Sequence, residues 1–355
     1  MTRSDIEHAL NEIGAPRFHA SQIFSWIYRH GVTDFAAMTN LPASLRERLA
    51  RELIIETPAI ERRETSSDGT TKYLLRLTDG KRIEAVYIPD TPAQTFCIST
   101  QVGCAMACAF CLTGKMGLAR HLTADEIAGQ VRVLAHDTGL ANKSFNVVLM
   151  GMGEPLHNYD ATMQALGILA DKEGLAMNPR RVTLSTVGIV PALERLASEP
   201  LMPNLAISLH ATTDELRSRI VPVNRKYDLA ELLDVCRRFP VAKRRRITFE
   251  YVLLAGVNDS LRDAAQLAKL LRGLKCKVNI IPYNPHPEAP YRRPAPEVIE
   301  AFQNECKRLG LSTYLRIPRG DDIDAACGQL ANRSNGSPVV PLRIRKDKPP
   351  PPPVE

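Results

Sequence analysis

The residues in this sequence best placed to do chemistry together are Cys104, Cys108 and Cys111, in the stretch QVGCAMACAFCLTGKMG. Their C-x3-C-x2-C spacing puts three thiolates on one tight loop, enough to bind three irons of one [4Fe-4S] cluster. No fourth cysteine lies nearby. The last iron of such a cluster stays open to a chelating substrate, as in catalytic rather than structural metal sites. Zinc competes for the same thiols. It usually takes four protein ligands in paired C-x2-C spacing, and the sequence holds no second pair. Phe110, just before the last cysteine, would shield a cluster from water.

The other cysteines divide into two groups. Cys236, Cys276 and Cys306 sit in helical or strand-edge patterns (LLDVCRRF, GLKCKVNI, FQNECKRL) and read as structural. Cys97 starts the stretch leading to the triplet. Cys327 lies in RGDDIDAACGQLA, a polar, Gly- and Asp-rich context that leaves its sulfur uncrowded. Two small buried hydrophobes are the plain alternative for this pair. The N-terminal MTRSDIEHAL has no apolar signal region, and no apolar run reaches the ~18 residues of a membrane span. We therefore expect a cytoplasmic protein with reduced thiols rather than a disulfide framework. The apolar share of 44% and charged share of 24% are those of an ordinary globular chain. A net charge of +7 and a pI near 9.0 suit a polyanionic partner or simply a basic surface.

Around these residues the sequence must build a frame. Residues 1–50 show helical periodicity in DIEHALNEIG and SQIFSWIYRH, with the single tryptophan, Trp26, expected in the core. Residues 51–95 alternate apolar and polar about Asp79-Gly80, the signal of a β-ribbon that links the two domains. From 96 to 335 strand and helix patterns alternate: FCIST, NVVLMGMG, RVTLSTVG, NLAISLHA, RRITFEYVLL, KVNIIPYN and STYLRIPRG read as strands, with helices between them. About six βα units predict an α/β fold with an open, partial (β/α)6 TIM-like barrel, its working face at the C-terminal ends of the strands. Thr123 and Glu126 form a capping box for the helix after the triplet. Residues 336–355 are basic and then proline-rich, and predict a mobile tail.

The triplet resembles the radical S-adenosylmethionine (SAM) superfamily, whose C-x3-C-x-aromatic-C motif follows the first barrel strand. The resemblance implies one [4Fe-4S] cluster with SAM bound to its open iron. Gly151-Met152-Gly153-Glu154-Pro155 resembles the superfamily's GGEP-type motif, so Gly153 and Glu154 are implied as SAM contacts. Ser185, Ser208, Leu209, His210 and Asn284 fall at strand C-terminal ends, where SAM would lie. For His210 alone a structural histidine is the competing reading.

IEAVYIP, CISTQVGC, CAMACAFC, GMGEPL, RRVTLSTVG, AISLHA, YVLLAGVND, IPYNP and RGDDIDAACGQLA occur in one order, and PRFHASQIFSWIY precedes them. Over about residues 1–335 the chain thus resembles the RlmN family of rRNA adenine C2-methyltransferases, related to the Cfr C8-methyltransferases. Leu112 departs from the usual Ser or Ala, and the proline tail is unfamiliar. The resemblance implies that Cys327 carries a methyl group from a first SAM. A second SAM, cleaved at the cluster, would activate that methyl for addition to the base. Cys97 would release the product by forming a Cys97–Cys327 disulfide. Glu84 or Cys97 is implied as proton acceptor, although Glu84 by itself reads as an exposed strand residue. The implied partners are 23S rRNA, tRNA carrying an adenosine 3′ of the anticodon, and an electron donor of the flavodoxin or ferredoxin kind. Arg46, Arg48, Arg51, Arg62 and Arg63 are the RNA platform expected from charge. Nothing reads as a dimer interface, so a monomer is expected.

Overall fold

The computed structural model describes residues 1–89 and 93–330; the stretch expected as a tail, 336–355, lies outside the described residues. Three helices open the chain, α1 (Arg3–Glu12), α2 (His19–Tyr28) and α3 (Ala43–Glu52). Thr2 and Asp5 form a capping box at α1. Ile6 and Leu10 on α1 meet Ile23, Phe24 and Ile27 on α2 in one buried face. That face leans on the rest of the molecule: a Cβ on Gly174 would lie 2.8 Å from the Phe24 ring, and Arg3 donates to Asp171 at 2.7 Å. Trp26 is not in the core. It falls on the flank of the Ile23–Phe24–Ile27 stripe, half-buried, and its indole N–H donates to Asn40 at 2.6 Å.

The next strands, β1 (Ala59–Thr65), β2 (Thr71–Arg76) and β3 (Arg82–Ile88), form an antiparallel meander. Gly80 adopts φ +78° in the turn between β2 and β3, a conformation glycine reaches without strain. The ribbon is part of the main sheet: β3 pairs with β4 (Thr95–Cys97), Val86 opposite Cys97. The chain continues through β5 (Gln101–Cys104), α4 (Leu112–Lys115), β6 (Gly117–His121), α5 (Ala124–Asp137), β7 (Asn146–Leu149), α6 (Tyr159–Ala170), β8 (Val182–Thr186) and α7 (Val190–Leu196). Then come β9 (Asn204–Ser208), α8 (Asp214–Ile220), α9 (Leu229–Arg238), β10 (Ile247–Leu253), α10 (Leu261–Leu270), β11 (Cys276–Pro282), α11 (Pro296–Arg308) and β12 (Thr313–Leu315).

The main sheet runs β1-β2-β3-β4-β7-β8-β9-β10-β11-β12, parallel from β4 onward. This is the open, partial barrel that the alternation predicts. β5 and β6 stand apart as a two-stranded ribbon, which the sequence pattern did not reveal. All seven residues of β10 are buried, as expected for a parallel strand covered on both faces. Helices seat Leu229, Leu232, Leu233 and Cys236 of α9, and Phe302 and Cys306 of α11, against the sheet. The capping box at Thr123 and Glu126 is present.

Among the described residues the sheet does not close through hydrogen bonds. Instead the chain after β12 crosses to the turn between β1 and β2. There Ser66 Oγ donates to Asp322 at 2.5 Å, the Gly320 amide donates to Asp68 at 3.2 Å, and Lys72 donates to the Ile323 carbonyl at 2.5 Å. This crossing brings Cys327 back over the barrel.

Candidate active site

Strand β5 delivers Cys104, and the backbone then curls tightly. Gly103 sits at φ +79°, where a Cβ would meet the Gly117 carbonyl oxygen at 1.9 Å, and Ala107 adopts φ +52°. The loop is pinned at three points: Ala109 N–H donates to the Ile220 carbonyl at 2.9 Å, Cys111 N–H to the Cys108 carbonyl at 3.1 Å, and Leu112 N–H to the Gly328 carbonyl at 2.8 Å. Cys104, Cys108 and Cys111 all border one cavity of about 590 Å³, a volume suited to a small-molecule ligand.

Burial pushes all three thiols up. Left alone they are neutral, and a bound cation is what would hold them as thiolates. Amide groups already point at two of the sulfurs, Met106 at Cys104 and Gly114 and Thr113 at Cys111. Such hydrogen bonds tune thiolate-bound clusters. Three thiols on one loop, each able to sit on its own iron and all bordering the same cavity, fit a cluster with one open iron.

Across the cavity lie the other residues singled out from sequence. Gly153, Glu154, Ser185, Ser208, His210 and Asn284 border it; Leu209 does not, since its side chain is in the core. Gly153 adopts φ +106°, and a Cβ there would strike Gln101, whose side chain accepts from the Glu154 amide at 2.8 Å. The glycine thus permits close packing of the β7 loop on the start of β5. The Glu154 carboxylate accepts the Leu156 and Val187 amides at 3.0 and 2.9 Å. Burial pushes it up to about 7, against the pull of Thr186 and those amides. A carboxyl poised near neutrality becomes fully ionised once a ligand cation faces it.

His210 sits at φ +59°, and its Nδ1 accepts the Val252 amide at 3.1 Å, which leaves the proton on Nε2. Burial, with the Arg217 charge, lowers it to about 3, so it is neutral at physiological pH. Asn284 donates to the Cys327 carbonyl at 3.2 Å and accepts from Arg293 at 2.9 Å, so it holds the Cys327 segment.

Cys97 and Cys327, distant in sequence, come within electrostatic reach of each other, both as free thiols. Cys97 is buried at the end of β4, and burial raises its thiol, with Cys327 adding to the shift. Cys327 is exposed and borders the cavity. The surrounding protein raises its thiol; Arg316 pulls it back and Glu250 pushes it further up. Glu84 is buried, not exposed as its sequence context suggested, because the main sheet continues past β3 onto β4. It shares a face of β3 with Ile88, which borders the cavity, and with Val86, opposite Cys97.

Three charged residues at or beside the cavity escaped sequence reading. Arg217 is fully buried with no carboxylate partner among the described residues. It donates to the carbonyls of Val187, Ser208 and Leu209 at 2.7, 3.1 and 3.1 Å and to Asn224 at 2.9 Å, tying together the ends of β8 and β9; burial lowers it to about 10. Glu250 borders the cavity, accepts from Asn279 at 2.9 Å, and is raised by burial. Arg316 borders the cavity beside them. The only sequence signal was an ionisable residue inside or next to a strand pattern.

Residues 98–268 match the model of the radical SAM superfamily, and residues 1–55 match a ribosomal RNA large subunit methyltransferase N-terminal domain. The dual-specificity RNA methyltransferase RlmN of Rhodospirillum rubrum is 48% identical over 94% of this chain and 80% of its own length. The protein of the same name from Geobacter sulfurreducens is 49% identical over 93% of this chain and 90% of its own. The chain belongs to the RlmN family. A crystal structure of a radical SAM methyltransferase from Sphaerobacter thermophilus overlays with a TM-score of 0.88 at 48% identity, covering 93% of this chain and 97% of that one. Membership makes this protein a radical SAM methyltransferase and implies a [4Fe-4S] cluster and SAM. No helix among the described residues is long and apolar enough to cross a membrane.

Proposed function

We propose that this chain methylates C2 of an adenosine in 23S rRNA and of the adenosine 3′ of the anticodon in tRNAs. The observation that carries the reading is that Cys327 borders the same cavity as the cysteine triplet, with Cys97 within electrostatic reach of it. The relatives' names, with dual RNA specificity, support the same conclusion.

C2 of adenine is an electrophilic amidine carbon and cannot attack a methyl sulfonium, so the methyl must first be held on the protein. Cys104, Cys108 and Cys111 would hold the cluster, and Glu154, Ser185, Ser208, His210 and Asn284 would bind SAM. When bound, these groups supply a 5′-deoxyadenosyl radical that takes hydrogen. Cys327, as thiolate, accepts a methyl from one SAM and releases S-adenosylhomocysteine; a second SAM is spent in activation. The Cys327 sulfur then presents its one-carbon unit to C2 and becomes tethered to the base, and the odd electron left on the base would pass back to the cluster that the three cysteines would hold. Glu84 or Cys97 takes the C2 proton. Cys97, giving up its thiol proton, attacks the Cys327 sulfur, the C–S pair passes to the carbon, which takes up a proton to become methyl, and methylated RNA leaves behind a disulfide. External reductant reopens it, which fits a cytoplasmic setting; a flavodoxin- or ferredoxin-type donor would supply the activating electron.

Mass spectrometry of purified protein should find a methyl group on Cys327. Cys97→Ala should trap an RNA–protein adduct through Cys327. A Cys327→Ala variant that methylates RNA in full would rule out the shuttle. Cfr-type C8 methylation would use the same cysteines, and nucleosides from digested product decide: 8-methyladenosine without the 2-methyl isomer would reject the C2 assignment.

A further inference from the structure

The arginines expected to form an RNA platform are largely occupied. Arg48 pairs with Glu52 and Arg62 with Glu64, each at 3.0 Å; Arg63 holds Asp137; Arg46 donates to the Ala36 carbonyl at 2.5 Å. A cation already neutralised within the fold has little to offer a phosphate.

The opposite situation holds at the N-terminal rim of the barrel. Arg180 precedes β8, and the run Lys243-Arg244-Arg245-Arg246 precedes β10. Arg180, Arg245 and Arg246 border one shallow pocket of about 400 Å³, floored by Pro200, Met202 and Phe239. Arg245 is fixed by donating to the Met202 carbonyl at 2.9 Å. Burial lowers it, and the Arg180 charge lowers it further, so the two crowd each other. Lys275 ties the loop down by donating to the Ala242 and Lys243 carbonyls at 2.9 and 2.7 Å. Arg180, Arg244 and Arg246 are exposed and pair with no carboxylate among the described residues. Like charges held together without counter-charges raise the free energy of the free protein and favour an anion in their midst.

This rim also opens onto the reaction cavity. Arg180 and Asn204 border both the shallow pocket and the large cavity, whose lining includes Thr95 and Asn146, the first residues of β4 and β7. At the other end the cavity is covered by the cysteine loop, Asn284 and the Ala325–Gly328 segment. A base extruded into the cavity keeps its ribose and both flanking phosphates at the mouth.

We propose that the N-terminal rim, through Arg180, Arg244 and Arg246, is the docking surface for the RNA backbone flanking the target nucleotide. This rests on the RNA methyltransferase reading above. An acidic protein would meet the same charge, but only a nucleic acid accounts for the continuity between basic rim and base-sized cavity.

The test compares Kd for a fluorescent tRNA transcript at several KCl concentrations, using cluster-reconstituted full-length protein. Arg180→Ala/Arg244→Ala/Arg246→Ala should weaken binding at least about tenfold at 0.15 M salt. It should also reduce the salt slope by about 2, at ~0.7 for each phosphate that is no longer neutralised. Arg48→Ala/Arg62→Ala/Arg63→Ala should change affinity less than about twofold. Thermal unfolding checks that the rim variant is folded; among the described residues these three side chains make no hydrogen bond that the substitutions would remove. A folded rim variant with wild-type affinity and slope overturns the proposal while leaving the enzymatic reading intact. Wild-type protein that neither binds nor methylates the transcript overturns that reading, and the docking surface with it.

Discussion

Asp68 should control where Cys327 sits, although the two belong to separate parts of the chain. Asp68 Oδ1 accepts the Thr70 amide at 2.9 Å within the β1–β2 turn, and Oδ2 accepts the Gly320 amide at 3.2 Å, with Arg319 3.7 Å away. Asp68→Ala removes the acceptor for Gly320 and the charge facing Arg319. A hydrogen bond to a charged acceptor contributes about 1.5–3 kcal/mol. With the carboxylate 28% exposed, screening brings the expected loss to about 1–2 kcal/mol. That corresponds to roughly a tenfold rise in local opening of the crossing segment. Hydrogen exchange measured over residues 319–328 reads this directly, and Cys97–Cys327 disulfide formation should slow in parallel. Asp68→Asn, which keeps an oxygen for Gly320, should recover about half of the protection. Burial pushes the Asp68 carboxyl up, but bonds from Thr70, Gly320 and Ser66 outweigh it and hold it at about 2. A folded-state value below the unfolded one means that the contribution is complete above pH ~4 and is lost as pH falls toward 2. Unchanged exchange in 319–328, with destabilisation confined to β1 and β2, would refute the reasoning.

Other outcomes follow from the same structure. Gly103→Ala drives a Cβ into the Gly117 carbonyl at a positive φ, so reconstituted protein should bind far less iron and labile sulfide at near-normal global stability. Arg217→Met strands the carbonyls of Val187, Ser208 and Leu209; the urea midpoint should fall by an amount worth about 3–5 kcal/mol at unchanged m. Glu250→Gln removes a negative charge that raises the Cys327 thiol, so its alkylation, followed by peptide mass spectrometry, should have a lower midpoint pH; an upward shift would contradict the electrostatics.

Much of the barrel was legible because its strands and helices carry strong, separate periods. The run from β7 to β12 and the capping box at Thr123 are local patterns that any chain segment displays by itself. The β5–β6 ribbon was hidden for the opposite reason: four residues ending at a cysteine carry no period, and their pairing partner lies beyond the cluster loop. Trp26 was misjudged because hydrophobic character alone does not say which side of a helix stripe a residue takes. Glu84 was misjudged because burial of β3 depends on β4 continuing its sheet, a contact between segments.

The sequence by itself determined the chemistry on offer: three thiols at cluster spacing, the Gly153-Glu154 turn, and two further cysteines in suggestive contexts. Ligand spacing within one loop is a short-range property, carried by a few backbone angles. What only tertiary structure decided is which distant groups share a space. It brought Cys97 within electrostatic reach of Cys327, placed Glu250 and Arg316 at the cavity, and separated arginines already paired from those with no carboxylate partner among the described residues at the barrel rim. Those outcomes depend on sheet order and on the crossing at Asp68, and a charge's availability depends on neighbours that the linear sequence does not name.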